Sequence, residues 1–405
     1  VKPHFLYLFR LSLTLCFGLL AISSTAQQLI PNLQARGFEN LQLEQRKDTL
    51  VLAFEDRLYR YELEGLAQVI TQLPEGVPVI LIAKYHNIPM VELHFPATSV
   101  EKWRSGELTS EALVREMGIK PGHHSALPES SISNATFWKV DLAAGPVISA
   151  TQIGNYDDAI KTVIDLAPTV HMQLTNGLSI TGQLLIPVFN NFTDDGVRAG
   201  LITLNQHMRL GKNWAGTLHA GLFQRRRAGV IGYLTRYFWQ NRLGVFGEAG
   251  YHTYSTVSGS LMSEFFEKYN FGHARIGVIA RHPVYDLTFK ASYGTFMIQD
   301  RGWRVDIYRQ FGQSIIGIFG VHTPDLPNAG FTLRLPLPIR KYPAFKRARI
   351  RTLPHLRYEY KFTGQTFRGL SIHTGTTIQE QIWNYHPDFI RNNLAPLLTS
   401  TRPEQ

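Results

Sequence analysis

The sequence predicts a mainly β protein, an outer-membrane antiparallel β-barrel of about twelve strands (range about ten to fourteen) preceded by a small periplasmic α+β domain. Three observations lead there. Between Leu287 and Tyr293 the odd positions are Leu287, Phe289, Ala291 and Tyr293 and the even ones Thr288, Lys290 and Ser292, a period of two. After a turn at Gln299-Asp300-Arg301-Gly302 the alternation resumes, with Trp303, Val305 and Ile307 opposite Arg304, Asp306 and Gln310. Such hairpins recur over more than half of the chain, in strands of about ten residues, the length a tilted strand needs to cross a bilayer. Trp214, Trp239, Trp303, Tyr308 and Phe311 lie near strand ends, where an interfacial aromatic girdle sits. A soluble sandwich has the same alternation with its apolar face turned inward. Strand length and the aromatics favour an apolar face turned outward to lipid. Charged residues are only 18%, below the roughly 25% usual for soluble domains.

Residues 1–26 read as a secretory signal. Lys2 and Arg10 give a positive start, Leu11 to Ile22 an apolar core, and Ser24-Thr25-Ala26 small residues before a cut at Gln27. Cys16, the only cysteine, lies in that core behind Leu15 rather than a small residue, which argues against a lipoprotein anchor. A chain cut at Gln27 has neither disulfides nor thiol chemistry. With a mean hydropathy of −0.11 and no apolar run of 18 residues after residue 26, a bundle of membrane helices is excluded. The net charge of +10 becomes +8 without Lys2 and Arg10. No basic patch with interleaved aromatics marks a nucleic-acid reader, so the expected partners are outer-membrane lipid, lipopolysaccharide and an anionic polysaccharide.

Residues 27–120 predict the α+β domain. Leu41 to Glu44 and Thr49 to Phe54 read as strands around a Lys47-Asp48 turn, and Asp56 to Tyr61 as a third. Leu66, Val69, Ile70 and Leu73 place an amphipathic helix over Glu64 to Leu73. Val77 to Ala83 and Val91 to Phe95 are strands, and Thr109 caps a helix running to Met117. This domain is expected to dock a periplasmic or outer-membrane partner through an exposed strand edge. Pro- and Ser-rich residues 121–136 are the expected linker.

Residues 137–383 predict the barrel. Asn176-Gly177 is a strong hairpin signal ahead of Leu178 to Val188. Strands follow at Gly200–Leu210, Trp214–Phe223, Val230–Phe238, Val245–Thr253, Ala274–Arg281, Ile315–Val321, Phe331–Leu337 and Ile350–Phe362. Register is set by cost, because an Arg or Lys facing lipid at mid-membrane costs about 2–4 kcal/mol. Turning Leu356, Tyr358, Tyr360 and Phe362 outward sends Arg351, His355, Arg357, Glu359 and Lys361 inward. Applied throughout, the rule lines the lumen with Arg209, Arg275, Arg281, Lys290, Arg304, Arg334, Arg351, Arg357 and Lys361, against Glu248, Asp306 and Glu359. These cations are the candidate polyanion contacts, with paired interior filler as the plainer reading. Arg309 breaks the rule and is expected at the interface or on a bulge.

No cofactor or metal is expected. His123-His124 reads as solvated linker, Asp157-Asp158 and Asp194-Asp195 as turn carboxylates without a Ca²⁺-binding string, and Arg225-Arg226-Arg227 as a hairpin end suited to phosphate or solvent. His207, His219 and Ser292 face inward, but no short motif joins them into a catalytic set, and hydrogen-bonding filler is favoured.

From Ala291 to Pro338 stand Gly294, Asp300, Gly302, Arg309, Phe311, Ile316-Gly317-Ile318-Phe319, Pro327-Asn328-Ala329-Gly330-Phe331 and Leu335-Pro336-Leu337-Pro338. Their order is a Gly strand, an Asp-x-Gly turn, an Arg-x-Phe strand, a Gly-rich strand and a terminal hydrophobic-Pro strand. The front carries Gly37-Phe38-Glu39-Asn40, Ala53-Phe54-Glu55-Asp56 and Tyr59-Arg60. This pattern resembles the YjbH-type outer-membrane proteins of exopolysaccharide and capsule loci. The resemblance implies a non-enzymatic barrel in the outer membrane of a Gram-negative bacterium, serving polysaccharide export or surface assembly. The alternatives are a scaffold subunit of a larger outer-membrane complex, or a barrel enzyme modifying lipid or glycan. Enteric members are much longer, so this chain corresponds to a compact single-barrel version. Outer-membrane barrels commonly end in an aromatic residue, whereas this chain ends Arg402-Pro403-Glu404-Gln405. The last strand is therefore expected near Leu370 to Trp383, with residues 384–405 as a tail.

Overall fold

The computed structural model describes residues 28–153, 160–224, 226–254, 270–297, 299–324, 327–343, 345–361, 369 and 371–402. The front domain starts with helix α1 (28–35) and continues through β1 (Glu39–Arg46), β2 (Thr49–Glu55), α2 (Glu62–Ile70), β3 (Val79–Tyr85), β4 (Ile88–Phe95), α3 (Ser99–Ser105), α4 (Ser110–Glu116) and β5 (Gly118–Pro121). Its five strands pair in chain order. Only β2 and β3 are parallel, and the crossover that a parallel pair requires is α2. Helix α2 buries Leu63, Leu66, Ala67, Val69 and Ile70 on the sheet and carries Glu62 and Glu64 in its first turn, where the helix dipole favours acids. Thr109 caps α4 as expected, its hydroxyl accepting the Ala112 N–H at 3.2 Å.

Three features of this domain differ from the expectation. Asp56 to Tyr61 is a turn, because the Asp56 carboxyl oxygen accepts the N–H groups of Leu58 and Tyr59 at 2.8 and 3.1 Å and draws the chain out of the ladder. Helix α3 and strand β5 were too short to show a period. The 121–136 segment is no free linker: Ser133 bridges Leu41 on β1, and the Gln42 amide donates to the carbonyls of Pro128 and Ser130 at 2.9 Å. The segment thus covers the β1 edge.

The second sheet has sixteen segments. They are β6 (Val140–Ala144), β7 (Pro146–Ile153), β8 (Ile160–Leu166), β9 (Thr169–Thr175), β10 (Leu178–Asn190), β11 (Arg198–Leu210), β12 (Trp214–Phe223) and β13 (Arg227–Phe238), followed by β14 (Leu243–Tyr254), β15 (Asn270–His282), β16 (Leu287–Thr295), β17 (Arg301–Phe311), β18 (Ser314–His322), β19 (Pro327–Pro336), β20 (Ala348–Thr352) and β21 (His355–Lys361). Three pairs are consecutive halves of one strand, broken at Gly145, at Ala167-Pro168 and at Leu353-Pro354. Proline has no N–H for the ladder, so a strand bends or pauses there. Joining the halves leaves thirteen long strands, within the expected range. Antiparallel pairing runs from β6 through β9 and β10 to β19 and β21, with β7 and β8 continuing the β6–β9 hairpin. The two ends of this path belong to one bent strand, since β20 pairs with β6, in parallel, and β21 pairs with β19. Strand β7 also lies against β21.

The polarity of this sheet is reversed relative to a soluble one. Val278 on β15 and Ile318 on β18 are 49% and 60% exposed, while Thr217, His219, Arg275, Thr288, Ser292, Arg304 and Asp306 are buried. Trp214, Trp239, Trp303 and Phe311 are exposed as expected. Tyr308 instead points to the buried side, where its hydroxyl donates to Asp306 at 2.8 Å. Arg309 is exposed near the end of β17, stacked 4.5 Å over Phe311.

The chain's end is not a strand followed by a tail. After an extended stretch (371–377), α5 (Ile378–Asn384) and α6 (Pro387–Thr401) follow. Ile390, Leu394 and Leu398 recur every four residues and, with Phe389, are fully buried in the core formed by Leu29, Leu66, Trp103 and Leu113. The front domain is therefore completed by α6, across the whole length of the chain. Phe389→Ala should cost about 3–5 kcal/mol, read as earlier chemical denaturation of the front domain by fluorescence of buried Trp103. Unchanged unfolding would show that the core is not shared.

Candidate functional site

Strand pairing itself assembles the polar face. Glu248 lies opposite Arg275 and Lys290 opposite Asp306, so opposite charges meet across neighbouring strands, and the hydroxyl of Ser292 lies opposite Arg304. Such charges, withdrawn from water, are tolerated only when paired and hydrogen-bonded. Arg275 bonds Glu248, whose other oxygen is 3.3 Å from His273. Arg304 contacts Asp306 at 2.8 Å and Glu359 at 3.1 Å, over the ring of Phe319.

The nine cations of the register argument all lie on this face or its rim, but each meets part of its own chain. Lys290 lies 4.5 Å over Phe246, and Lys361 is 3.4 Å from Glu359. Arg281 is 3.0 Å from Asp286, and Arg209 reaches the carbonyls of Pro89 and Met90 in the front domain. Arg351 contacts Asp141 at 3.1 Å and donates to the carbonyl of Arg57. Arg275 donates to Ser371 at 3.1 Å, and Arg304 to the carbonyl of Gly369 at 3.3 Å. Arg357 forks onto Glu380 at 2.9 and 2.7 Å, and Arg334 reaches Asn384 at 3.4 Å. Gly369, residues 371–377 and α5 therefore run along the polar face. At the far end of that run Asn384 also donates to Glu62 of the front domain at 2.7 Å.

His207 bonds Thr217 at 3.2 Å, His219 bonds Asn205 at 2.6 Å, and Ser292 donates to the carbonyl of Arg304 at 3.5 Å. The structure does not bring the three together by a direct hydrogen bond. His123 is not solvated linker, since its Nδ1 lies 2.5 Å from buried Glu92. Asp195 pairs with Arg226, while Arg225, Asp157 and Asp158 lie outside the described residues. Among the described residues no group of three His, Cys, Asp or Glu is placed to hold a metal.

Sequence reading missed the junction between the front domain and the larger sheet. The β3–β4 turn has His86 and Asn87 both at positive φ (51° and 60°), a hairpin turn matched to strand twist. The Glu55 carboxylate holds it, accepting the N–H groups of His86 and Asn87 at 2.9 and 2.8 Å. Burial opposes ionisation of Glu55, but Arg57, 2.8 Å away, and these N–H groups outweigh it and lower its pKa. The turn inserts His86 5.1 Å from the rings of His171 and His207, and Asn87 donates to Asn176 at 2.7 Å. Burial, then the Arg57 charge, keeps His86 neutral. Deeper still, Arg349 bonds Asp141 on β6, Glu39 on β1 and Thr136. It sits two positions before Arg351, so extending the register argument by one inward step reaches it.

Residues 20–201 match the model of the YjbH family, described as exopolysaccharide biosynthesis protein YbjH. Over these residues the chain is similar to the YjbH family. The match runs from upstream of the described residues through the front domain to β11. Over 335 residues the chain is also 22% identical to the uncharacterized lipoprotein YjbH of Escherichia coli strain K12, covering 74% of this chain and 47% of that protein. It thus spans about half the length of its YjbH relative. That relative is named a lipoprotein; Cys16 of this chain lies outside the described residues.

Asp56, at the edge of the same junction, allows a test of the burial argument. Burial raises its carboxyl to about 7 against two N–H bonds that lower it, and Gly65 packs so closely that a Cβ there would meet Oδ2 at 2.0 Å. With a folded pKa above the unfolded 3.8, its contribution to stability is complete below about pH 4 and lost as pH rises through 7. Asp56→Asn should match wild type at pH 4 and exceed it by roughly 2–4 kcal/mol at pH 8 in denaturant titrations. An equal effect at both values would contradict a buried neutral carboxyl.

Proposed function

We propose that the thirteen long strands form a transmembrane β-barrel in the outer membrane and that it serves export or surface assembly of an exopolysaccharide, without enzymatic chemistry. The carrying observation is the reversed polarity of the sheet, with an apolar face exposed and a charged face buried. Water would not tolerate so broad an apolar surface, whereas lipid requires it. Closure would lie at the β20–β6 seam, where both ends of the pairing path meet in one bent strand. Its parallel sense follows from an odd strand number. Bacterial single-chain barrels ordinarily have an even number, so the bent strand Ala348–Lys361 is the unusual element of this design. The front domain would then seat at the periplasmic mouth, beside the short turns at Asn176-Gly177 and Gly312-Gln313, where Arg60 donates to Gln313 at 2.7 Å. The family description supplies the polysaccharide, and the basic interior suits an anionic one.

One observation favours a second reading. The chain's own segment lies along the polar face, as in a barrel that acts as a scaffold within a larger envelope complex. Extracellular polymer on cells with an in-frame deletion separates the two. A loss restored by complementation supports export, and unchanged polymer supports the scaffold.

The membrane reading has its own test in Val278, near the middle of β15 on the exposed face. Val278→Arg should destabilise folding into vesicles by about 2–4 kcal/mol. Arg in place of Trp239, in the turn after β13, should cost under about 1 kcal/mol. Equal, small effects at both positions would speak for a surface in water.

A further inference from the structure

We infer that Arg334 and Arg357 form a carboxylate-binding site for an acidic, uronate-bearing polysaccharide, and that Glu380 occupies it as an internal stand-in. The inference rests on the export reading and adds the ligand's chemistry. Arg334 and Arg357 are direct partners across β19 and β21. Like charges in that position repel, and the arrangement is stable only with an anion between or beside them. Glu380 supplies that anion through a two-bond fork to Arg357, the geometry in which a planar guanidinium matches a planar carboxylate.

The same segment continues the pattern. Asn384 offers its oxygen to Arg334, Ser371 its hydroxyl to Arg275, and Gly369 its carbonyl to Arg304. Oxygen groups of the segment, two before α5 and two on it, thus meet four separate cations of the polar face, as the several oxygens of a bound polymer would. The segment is also suited to exchange. Helix α5 has seven residues, too few to persist alone. At its start the Ile378 N–H donates to Thr217 at 3.0 Å and the Gln379 amide to Thr235 at 3.2 Å, contacts that hydroxyl-rich sugar can replace, while at its end Asn384 stays tied to Glu62 and Gln310 at 2.7 and 3.3 Å. A ligand carboxylate entering beside Arg357 takes the place of Glu380, and α5 withdraws toward α6.

The test uses the full chain purified in detergent, with fluorescent polygalacturonate oligomers as probe and neutral dextran and dextran sulfate as comparisons. Glu380→Gln keeps the shape but weakens the internal competitor, so polygalacturonate should bind about tenfold more tightly than to wild type. Dextran should not bind, and Arg357→Ala added to Glu380→Gln should abolish the gain. A lock that keeps the native arrangement complements this: Thr217→Cys with Ile378→Cys should lose polygalacturonate binding when oxidised and regain it on reduction. Binding to Glu380→Gln no tighter than to wild type, or binding in the oxidised lock equal to that in the reduced one, overturns the inference. Dextran sulfate bound as tightly as polygalacturonate overturns the carboxylate class. Conductance across planar bilayers separates this from the export reading. A Glu380→Gln protein that conducts without preferring polygalacturonate defeats the carboxylate site alone, whereas silence in both the locked and reduced states defeats the export reading as well.

Discussion

Arg349, about 1% exposed, is the point on which three parts of the molecule depend. Its guanidinium joins Asp141 of β6 to its own strand β20 across the parallel seam, and reaches Glu39 at the start of the front domain. A buried guanidinium without partners would be strongly destabilising, so the seam and the domain docking are tied to one requirement. Arg351 and Arg57 extend it: Arg351 shares Asp141, and Arg57 bonds Glu55 and Gln173 of β9. Each ion pair supports a contact between segments more than eighty residues apart in sequence, except the local pair Arg57–Glu55.

The same constraint acts along the whole polar face. In a sheet whose apolar face is exposed, the polar face must be held by charge pairs, hydrogen bonds and cation–aromatic contacts rather than by apolar packing. Arg275 and Lys290 are each set against a carboxylate on a neighbouring strand, Arg304 against Asp306 of its own strand and Glu359 of β21, and all three against an aromatic ring. The segment ending in α5 supplies the remaining oxygens. Its continuation α6 then leaves the sheet and completes the front-domain core with Phe389, Ile390, Leu394 and Leu398. Contacts on the polar face and front-domain stability are therefore coupled through α5 and α6.

Much of this was legible in the sequence because a period of two is a local property. The faces of β16 and β17, the Asn176-Gly177 turn and the inward set from Arg209 to Lys361 follow from alternation and from the cost of a cation in lipid. What was hidden is non-local or breaks the period. Pro354 divides one strand so that its halves serve different neighbours, which no window centred on Ile350 to Phe362 reveals. The α5 sequence lacks a long apolar stripe, and its Glu380 acquires meaning only once Arg357 is placed beside it. Helix α6 is legible in the spacing of Ile390, Leu394 and Leu398, but the ending Arg402-Pro403-Glu404-Gln405, without a barrel's usual terminal aromatic, points instead to an earlier last strand and a tail. Nearness to a strand end points Tyr308 to the aromatic girdle, whereas its even position sends it to the buried side with Asp306.

In the proposed arrangement one face of the larger sheet meets lipid and the other faces residues 371–384. Spin labels at successive positions Trp303 to Ile307 of β17, in protein reconstituted into vesicles, test it most directly. Labels at 303, 305 and 307 should be more accessible to oxygen dissolved in the bilayer than to a water-soluble nickel chelate, and those at 304 and 306 should be shielded from oxygen. Preferential access of the nickel chelate to 303, 305 and 307 would contradict the account, for it would place the apolar face of this sheet in water.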